Sequence, residues 1–279
     1  MKKTIGIYLT ALLLFSACSN YNTLLKSTDY EYKYEAAKEY YISGKYSKAA
    51  SLLEELIAIM KGTDKGEESL YMLGMCYYGM GDYQTASHYF VTYYKNYPQG
   101  IYTEEARFHS GKTLYFDVPE PRLDQSSTIK AIQELQLFME YYPQSTRKAE
   151  IQKMLFELQD NLVKKEYESA LLYYKLGPYF LNSGSNGGNN YTSCIVTAQN
   201  ALQDYPYTSL REELSVLILR ARYQMALQSV EEKKLERLRE TIDEYYAFKN
   251  EFPQSKHTKE VEDIMKDVSR LEEKLANKR

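Results

Sequence analysis

Residues 71–98 read YMLGMCYYGMGDYQTASHYFVTYYKNYP and contain two helical patterns in succession. In the first pattern, Gly74 has aromatic rings three residues before it and four residues after it, and these spacings share one face of a helix. Gly81 then marks a turn. In the second pattern, the small Ala86 precedes larger packing residues at spacings of four and seven, until Pro98 prevents the helix from continuing. The stretch therefore predicts a hairpin of two helices.

The same pattern recurs along the chain. In the first helix of each hairpin, small residues flanked by rings repeat every 37 residues, at Ala37, Gly74 and Gly111. In the second helix, small residues with the same downstream packing positions stand at Ala49, Ala86, Ala131, Cys194 and Thr241. Four of these five second helices end twelve residues later in a proline, at Pro98, Pro143, Pro206 and Pro253. Such a period is the signature of a helical-repeat protein, and we count five repeats between residues 30 and 255.

These positions resemble the tetratricopeptide repeat, whose first helix carries Leu-Gly followed by Tyr and whose second helix carries Ala and Phe before a closing Pro. Leu73, Tyr77 and Phe90 occupy matching positions, although the usual Trp is absent. The resemblance implies an all-α solenoid of about five helical hairpins. Longer turns are expected within repeats three to five, at residues 117–127, 182–190 and 230–237. Apolar spacings of three and four then predict a C-terminal capping helix within residues 257–279, through Val261, Ile264, Val268, Leu271 and Leu275.

The first eighteen residues predict export and lipid anchoring. Lys2 and Lys3 precede an apolar run over residues 5–15, which is too short to span about 30 Å of hydrocarbon but is typical of a secretory signal. The run ends in Ala17 and Cys18, which resembles the lipobox of bacterial lipoproteins. The alternative is an ordinary signal peptide that happens to contain a cysteine. We predict that residues 1–17 are removed, that Cys18 carries the lipid, and that residues 18–29 form a tether facing the periplasm.

Composition and spacing disfavour several classes of function. Lys plus Arg number 35 against 38 for Asp plus Glu, so the formal net charge of −3 disfavours a nucleic-acid partner. Three Cys and three scattered His are too few for a structural metal site, and no cofactor is predicted. Adjacent acids such as Glu104 and Glu105 do not face each other and are better explained as helix starts. Because no Ser, Cys and His stand at interpretable spacings, we predict that the chain is not an enzyme.

Two further features have alternative interpretations. Cys76 and Cys194 could form a disulfide in an oxidising periplasm, but their positions in repeats two and four favour two buried free thiols. Residues 183–190 are rich in glycine, yet no strand precedes them and no Gly-Lys-Thr closes them, as a nucleotide site would require. We therefore predict a flexible insertion there.

In tetratricopeptide solenoids, one face of the first helices lines a concave groove. By register, nine residues of this chain belong to that face: Tyr34, Lys38, Tyr41, Tyr71, Met75, Tyr78, Phe108, Lys112 and Tyr115. One interpretation is that rings at helical spacing are core. The other is a recognition surface, for which amphipathic Tyr is well suited. A groove with rings and ammonium groups suits an extended peptide that ends in an aromatic residue and a carboxylate.

The lipobox, the segment from Leu24 to Asp29, the repeat count and the total length together resemble the BamD family of outer-membrane assembly lipoproteins, in its Bacteroidetes type. The resemblance implies a non-enzymatic scaffold on the periplasmic face of the outer membrane. Residues 30–145 would receive the C-terminal signals of unfolded outer-membrane β-barrel proteins. Residues 146–256 would bind the periplasmic domains of a BamA-like barrel-forming subunit. Arg211 occupies a place similar to that of a family arginine that contacts this partner.

Two other classes of binding protein are also compatible with the repeats. One is a periplasmic tetratricopeptide adaptor for cell-wall enzymes. The other is a SusD-like glycan-uptake lipoprotein, although such proteins are generally much longer and stack sugars on Trp, which this chain lacks. Identifying the proteins bound in the membrane discriminates among the three.

Overall fold

The computed structural model describes residues 21–177 and 190–277. Within those ranges the regular structure consists of helices, and the first, α1, spans residues 21–25. The others are α2 (Tyr30–Ile42), α3 (Tyr46–Ile59), α4 (Asp64–Met80), α5 (Tyr83–Asn96), α6 (Thr103–Phe116), α7 (Ser126–Tyr141), α8 (Lys148–Leu176), α9 (Asn190–Asp204), α10 (Arg211–Leu227), α11 (Glu231–Glu251) and α12 (Thr258–Ala276). The predicted all-α fold of tetratricopeptide-type hairpins is confirmed. Cys18 and residues 182–189 of the predicted insertion lie outside the described residues, so lipidation and flexibility there remain predictions, while Asn190 already begins α9. The longer turn predicted at residues 230–237 is wrong, because α11 begins at Glu231 and the charged side chains there lie on a helix.

The chain divides into two compact units. Of the described residues, unit 1 contains 21–118 and 126–151, and unit 2 contains 119–125, 152–177 and 190–277. In unit 1 each helix from α2 to α7 packs against the next along the chain. In unit 2 the same holds from α9 to α12. Each unit thus repeats the pairing that the sequence predicts for one hairpin.

Small residues in the first helices of unit 1 let the second helices approach closely. A Cβ atom on Gly74 would lie 2.8 Å from the Phe90 ring, and one on Gly111 would lie 2.6 Å from the Leu135 side chain. Ala37, at the equivalent position of the first hairpin, is completely buried. The 37-residue spacing of small residues therefore marks the points of closest helix contact, where interiors have no spare volume.

Hydrogen bonds connect the start of a hairpin to its end. The Ser145 hydroxyl donates to Glu104 over 2.6 Å, and the Ser255 hydroxyl donates to Glu212 over 2.6 Å. In each pair the carboxylate lies in the first turn of the first helix and the serine follows the proline that ends the second. These carboxylates also favour the positive end of the helix dipole. We call these contacts the closing bonds of the hairpins.

The predicted capping helix is α12, which packs against α10 and α11 of unit 2. Val261 packs with Tyr245 and Phe248, and Val268 packs with Leu238. The other predicted apolar positions of the seam are partly buried against the second of these clusters, at Ile264, Leu271 and Leu275. Their spacing of three and four residues therefore marks one buried face of a helix.

Cys76 and Cys194 are free thiols, as predicted. Each lies in the core of a different unit, where burial raises the pKa of both thiols to about 12. At neutral pH both are therefore protonated and unreactive. No helix in the described part of the chain combines the length and apolar character that crossing a membrane requires.

Candidate functional site

The nine predicted groove residues lie on α2, α4 and α6 of unit 1. The sequence left open whether they are core or surface, and the structure contains both kinds. Tyr34 and Phe108 are only 3% and 1% exposed. The other seven are half-buried, so each keeps part of its side chain accessible: Lys38, Tyr41, Tyr71, Met75, Tyr78, Lys112 and Tyr115. We call these seven side chains, with the residues that contact them, the aromatic face of unit 1.

One end of the aromatic face is organised around Glu68 of α4. Tyr34 donates its hydroxyl hydrogen to this carboxylate, and Lys38 Nζ lies 3.0 Å from Glu68 Oε1. Lys38 also lies 5.4 Å from the centre of the Tyr34 ring. Burial, and then the hydrogen bond to Glu68, raise the pKa of Tyr34 to about 12. Tyr34 therefore remains a neutral donor that fixes Glu68, while Lys38 is already paired.

A stacked pair of rings lies beside this cluster. Tyr71 and Tyr102 have ring centres 4.4 Å apart and planes only 5° apart. The Tyr102 backbone N–H donates to the Tyr93 hydroxyl over 3.1 Å, and Tyr93 in turn donates to Glu67. This network holds Tyr102 in place, immediately before α6 begins. Burial is the main reason that the pKa of Tyr71 is raised, so its hydroxyl also stays neutral.

The charged part of the aromatic face joins α6 to the first turn of α8. The Arg147 guanidinium lies 3.1 and 3.0 Å from the two oxygens of Glu105, and Lys112 Nζ lies 2.8 Å from Glu150 Oε1. Both cations lie over the buried Phe108 ring, at 4.6 and 5.2 Å from its centre. The Phe108 ring is therefore buried, but it still contributes to the aromatic face by holding these two cations through cation–π contacts. The predicted Lys112 is thus neutralised within unit 1.

His109 occupies the floor between the rings. Its ring stacks on Phe90 at 5.2 Å and contacts Tyr78 edge-on at 5.4 Å. Burial lowers the pKa of His109 to about 4, so the imidazole is neutral at pH 7. Its Nδ1 atom is buried and has no hydrogen-bond partner among the described residues. The residue therefore behaves as a ring of the core and not as a proton carrier.

The opposite end of the aromatic face is built from rings around Phe116. Tyr83 stacks on Phe116 at 5.4 Å, and Tyr78 and Tyr115 lie 6.3 and 5.3 Å from it. Phe116 itself is 45% exposed. An exposed ring supported by three others offers apolar area that a bound chain could cover.

Sequence reasoning missed several residues of this face. Tyr102 precedes α6 and so falls outside the helical register that located the other rings. Glu68, Glu105 and Glu150 bind cations that lie 30 to 42 residues away in the sequence, namely Lys38, Arg147 and Lys112. Helical periodicity identifies faces of one helix only, which is why it could not pair these charges.

In unit 2, Arg211 is half-buried and already engaged. Its guanidinium contacts Glu251 of α11 and donates to the Pro206 carbonyl over 3.1 Å. A cavity of about 590 Å³ lies elsewhere in unit 2, lined by side chains that include Tyr174, Arg220 and Glu260. Arg220 holds Glu260 through two bonds of 2.6 Å. This guanidinium keeps the pKa of Glu260 below its ordinary value.

Together these features define a class of protein: a helical-repeat protein with a ring-rich surface on unit 1. Among the described residues, no group of three or more His, Cys, Asp or Glu could hold a metal ion. Residues 27–182, more than half of the chain, match the model of the family described as YfiO, outer membrane lipoprotein. The chain belongs to this family, which is one of outer membrane lipoproteins related to BamD. Its Bacteroidetes type remains a prediction.

Other comparisons add little. No curated protein sequence matches the chain. Among solved structures, it is similar to two crystal structures of nearly identical TPR-like repeats of a putative kinesin light chain from Podosopora anserina. Both are 13% identical to it and cover 81% of it, with TM-scores of 0.32 and 0.31, and the chain covers 96% and 97% of them. The description of the fold rests on the helices themselves.

Proposed function

We propose that the chain is a non-enzymatic subunit of the machinery that assembles β-barrel proteins in the outer membrane. In this role the aromatic face of unit 1 receives the C-terminal signals of unfolded barrels. Unit 2 contacts the periplasmic domains of a BamA-like barrel-forming subunit. Cys18 anchors the chain to the periplasmic face of the outer membrane. Membership of the outer membrane lipoprotein family supports the location.

The observation that carries the proposal is the stack of Tyr71 on Tyr102, which belongs to the same aromatic face as the half-buried cations Lys38 and Lys112. A third ring from a peptide can continue the stack, and ring pairs contribute about 0.5–1.5 kcal/mol beyond the area that they bury. The half-exposed pairs of Lys38 and Lys112 contribute roughly 0–1 kcal/mol each, so a peptide carboxylate can replace Glu68 or Glu150 with little loss.

Lipidation complements this binding. Two acyl chains on Cys18 would hold the face close to the membrane in which barrels are inserted. Confinement raises the effective concentration of both partners, so each contact can be weak individually. No bond-making step is required of any residue on the aromatic face.

The first test is recovery of the native lipoprotein from membranes in a gentle detergent, followed by mass spectrometry of the bound proteins. We expect a barrel-forming subunit at near-equal amounts. Recovery of a cell-wall hydrolase would support the adaptor class, and recovery of a glycan transporter would support the SusD-like class. Either result in place of the barrel-forming subunit would overturn the proposed function and leave the fold unchanged.

A further inference from the structure

A small cavity of about 170 Å³ opens in unit 2 beside the turn between α9 and α10. Its lining includes three rings, Phe156, Tyr205 and Tyr207, and two carboxylates, Asp160 and Asp204. No Lys, Arg or His belongs to the lining. We call it the acid–aromatic cavity. Arg211, which is held by Glu251 and the Pro206 carbonyl, is not among its lining residues.

The turn that borders the cavity differs from its counterparts in the other hairpins. Three turns read Tyr97-Pro98-Gln99, Tyr142-Pro143-Gln144 and Phe252-Pro253-Gln254, whereas this one reads Tyr205-Pro206-Tyr207. Tyr207, in the place of a glutamine, is 88% exposed. Phe156 across the cavity is 45% exposed. Because glutamine suffices for the same turn elsewhere, the fold does not require a ring at position 207.

The two carboxylates have different surroundings. Asp160 accepts a hydrogen bond of 2.7 Å from the Thr208 hydroxyl and one of 3.1 Å from the Ser209 backbone N–H, so its carboxylate is already engaged. Asp204 is exposed and forms no ion pair among the described residues. It is also the last residue of α9, where the helix dipole disfavours a negative charge. Asp204 therefore does not stabilise the helix, whereas a cation placed in the cavity would interact favourably with its carboxylate.

We propose that the acid–aromatic cavity binds one arginine or lysine side chain that projects from a partner protein. A cation there would contact ring faces and the free carboxylate together, and both interactions strengthen as water is excluded. The exposed rings of Tyr207 and Phe156 extend the apolar area beyond the cavity, which a protein surface would cover and a free ion would not. Tyr and Arg are the residues enriched at the energetic centres of interfaces.

If unit 2 contacts the barrel-forming subunit, the periplasmic domains of that subunit are the expected source of the basic side chain. This identification rests on the proposed function. The chemistry of the cavity does not, because it follows from the rings and carboxylates of unit 2. The two ideas can therefore fail separately.

The deciding experiment places the photoreactive amino acid p-benzoylphenylalanine at position 207 of the full lipidated chain in native membranes. After irradiation, we expect a dominant adduct with one protein, at a site next to an arginine or lysine. Asp204→Lys should lower the adduct yield by about tenfold, since reversing the charge repels the bound cation. The matched controls are p-benzoylphenylalanine at Tyr246, which is 60% exposed on α11, and the exposed substitution Asp243→Lys.

An adduct at position 207 no stronger than that at position 246, or one unchanged by Asp204→Lys, would overturn the proposal.

A second measurement separates it from the proposed function: the affinity of the wild-type chain for purified periplasmic domains of the barrel-forming subunit. If these domains bind the wild type and both Asp204→Lys and Tyr207→Ala equally well, with no adduct that depends on Asp204, the cavity proposal fails alone. If an adduct that depends on Asp204 forms with a different protein, the partner in the proposed function is wrong and the cavity proposal stands.

Discussion

Units 1 and 2 are built from the same kind of helical hairpin, yet different types of side chain dominate their surfaces. The aromatic face of unit 1 exposes stacked rings, of which Tyr71 and Tyr102 are the closest pair. Unit 1 also pairs Lys112 and Arg147 with carboxylates, but unit 2 has more arginines that bind carboxylates of neighbouring helices. These pairs are Arg211 with Glu251, Arg220 with Glu260, Arg222 with Glu240 and Glu244, and Arg239 with Glu272.

The difference indicates what each surface can gain from a partner. Half-buried rings still have apolar area in contact with water, so covering them is favourable at about 25 cal/mol per Å². Arginines that are already paired gain little, because a partner must replace a bond that exists. We therefore expect unit 1 to bind a partner by burying rings. We expect unit 2 to bind a partner through charged side chains that form no ion pair, such as Asp204.

The largest expected effect separates core rings from surface rings within unit 1. Phe108→Ala should lower the free energy of unfolding by about 3–5 kcal/mol, because the ring is 1% exposed and its removal leaves a cavity. Denaturant titration of the purified chain measures it. Phe116→Ala, at a ring that is 45% exposed, is the control, with an expected loss of about 1 kcal/mol or less. Equal losses would contradict the distinction between core and aromatic face.

The next effect is on the pH dependence of stability, and it comes from a largely buried histidine of unit 1. Burial lowers the pKa of His109 from 6.5 to about 4. Between these values the unfolded chain binds the proton and the folded chain does not, so stability is complete above pH 6.5 and falls as the pH drops towards 4. We expect a loss of about 2–3 kcal/mol over this window, calculated from the size of the shift.

The measurement is denaturant titration at a series of pH values. His109→Gln is the matched variant, because it keeps a polar side chain and removes the titration in this window. The difference in pH dependence between the two proteins isolates the histidine from the carboxylates. A wild-type curve parallel to that of His109→Gln would rule out this role.

Binding gives a sharper version of the comparison. Tyr102→Ala should weaken the affinity for peptides that end in an aromatic residue by about tenfold, since it removes the stacking partner of Tyr71. Tyr102→Phe should retain the affinity, because the ring and not the hydroxyl carries the contact. Calorimetry with synthetic C-terminal peptides of barrel proteins measures both. Tyr246→Ala in unit 2 is the control, and a loss as large as that of Tyr102→Ala would argue against a site on unit 1.

The charged groups of the same face allow an independent test. Lys112→Glu should place a second negative charge beside Glu150. It should lower the affinity for the same peptides more at low salt than at high salt, because salt screens the repulsion. Tyr41→Ala should lower the peptide affinity equally at both salt concentrations, because the contribution of the Tyr41 ring is apolar. Unchanged peptide affinity in both variants would exclude the aromatic face as the site.

The smallest expected effect concerns the ion pairs of unit 2. Arg220→Leu removes the partner of Glu260, whose side chain is 42% exposed, so solvent screening limits the loss to about 1 kcal/mol. Since the pKa of Glu260 lies below its ordinary 4.5, the stabilisation is present above that pH and disappears as the pH falls through the lowered value. Wild type and variant should therefore converge as the pH is lowered from 7, as measured by thermal unfolding at a series of pH values. A difference between them that does not change with pH would refute the assignment.

Sequence periodicity predicted the hairpins because each helix repeats its pattern locally. Gly74 and Gly111 show this most directly, since a spacing in the sequence became a contact with Phe90 and Leu135. The aromatic face was located only in part. Phe108 has the same register as Tyr71, but its ring is covered by Phe138 of α7 and by Arg147, which directly precedes α8, and no pattern within α6 reveals these contacts.

The position of Tyr102 illustrates the second limit. Its ring is placed by a backbone bond to Tyr93 and by a turn, and turns have no period. The contact of Asp160 could not be predicted for a similar reason. Asp160 lies in the interior of α8, which is longer than a single repeat helix, and it accepts a hydrogen bond from the distant Thr208. Long-range hydrogen bonds of this kind depend on how helices pack, which a single sequence does not specify.

The closing bonds have a consequence for how such a chain changes length during evolution. When the Glu104 carboxylate holds the Ser145 hydroxyl, the two ends of that hairpin are fixed to each other, and residues added between the end of α7 and Ser145 would move the serine away from its partner. The tip of a hairpin carries no such restraint, and residues 117–125 show extra length there, between α6 and α7. Insertions should accordingly accumulate at tips in related chains, while the number of residues from the end of the second helix to the bonded serine stays constant.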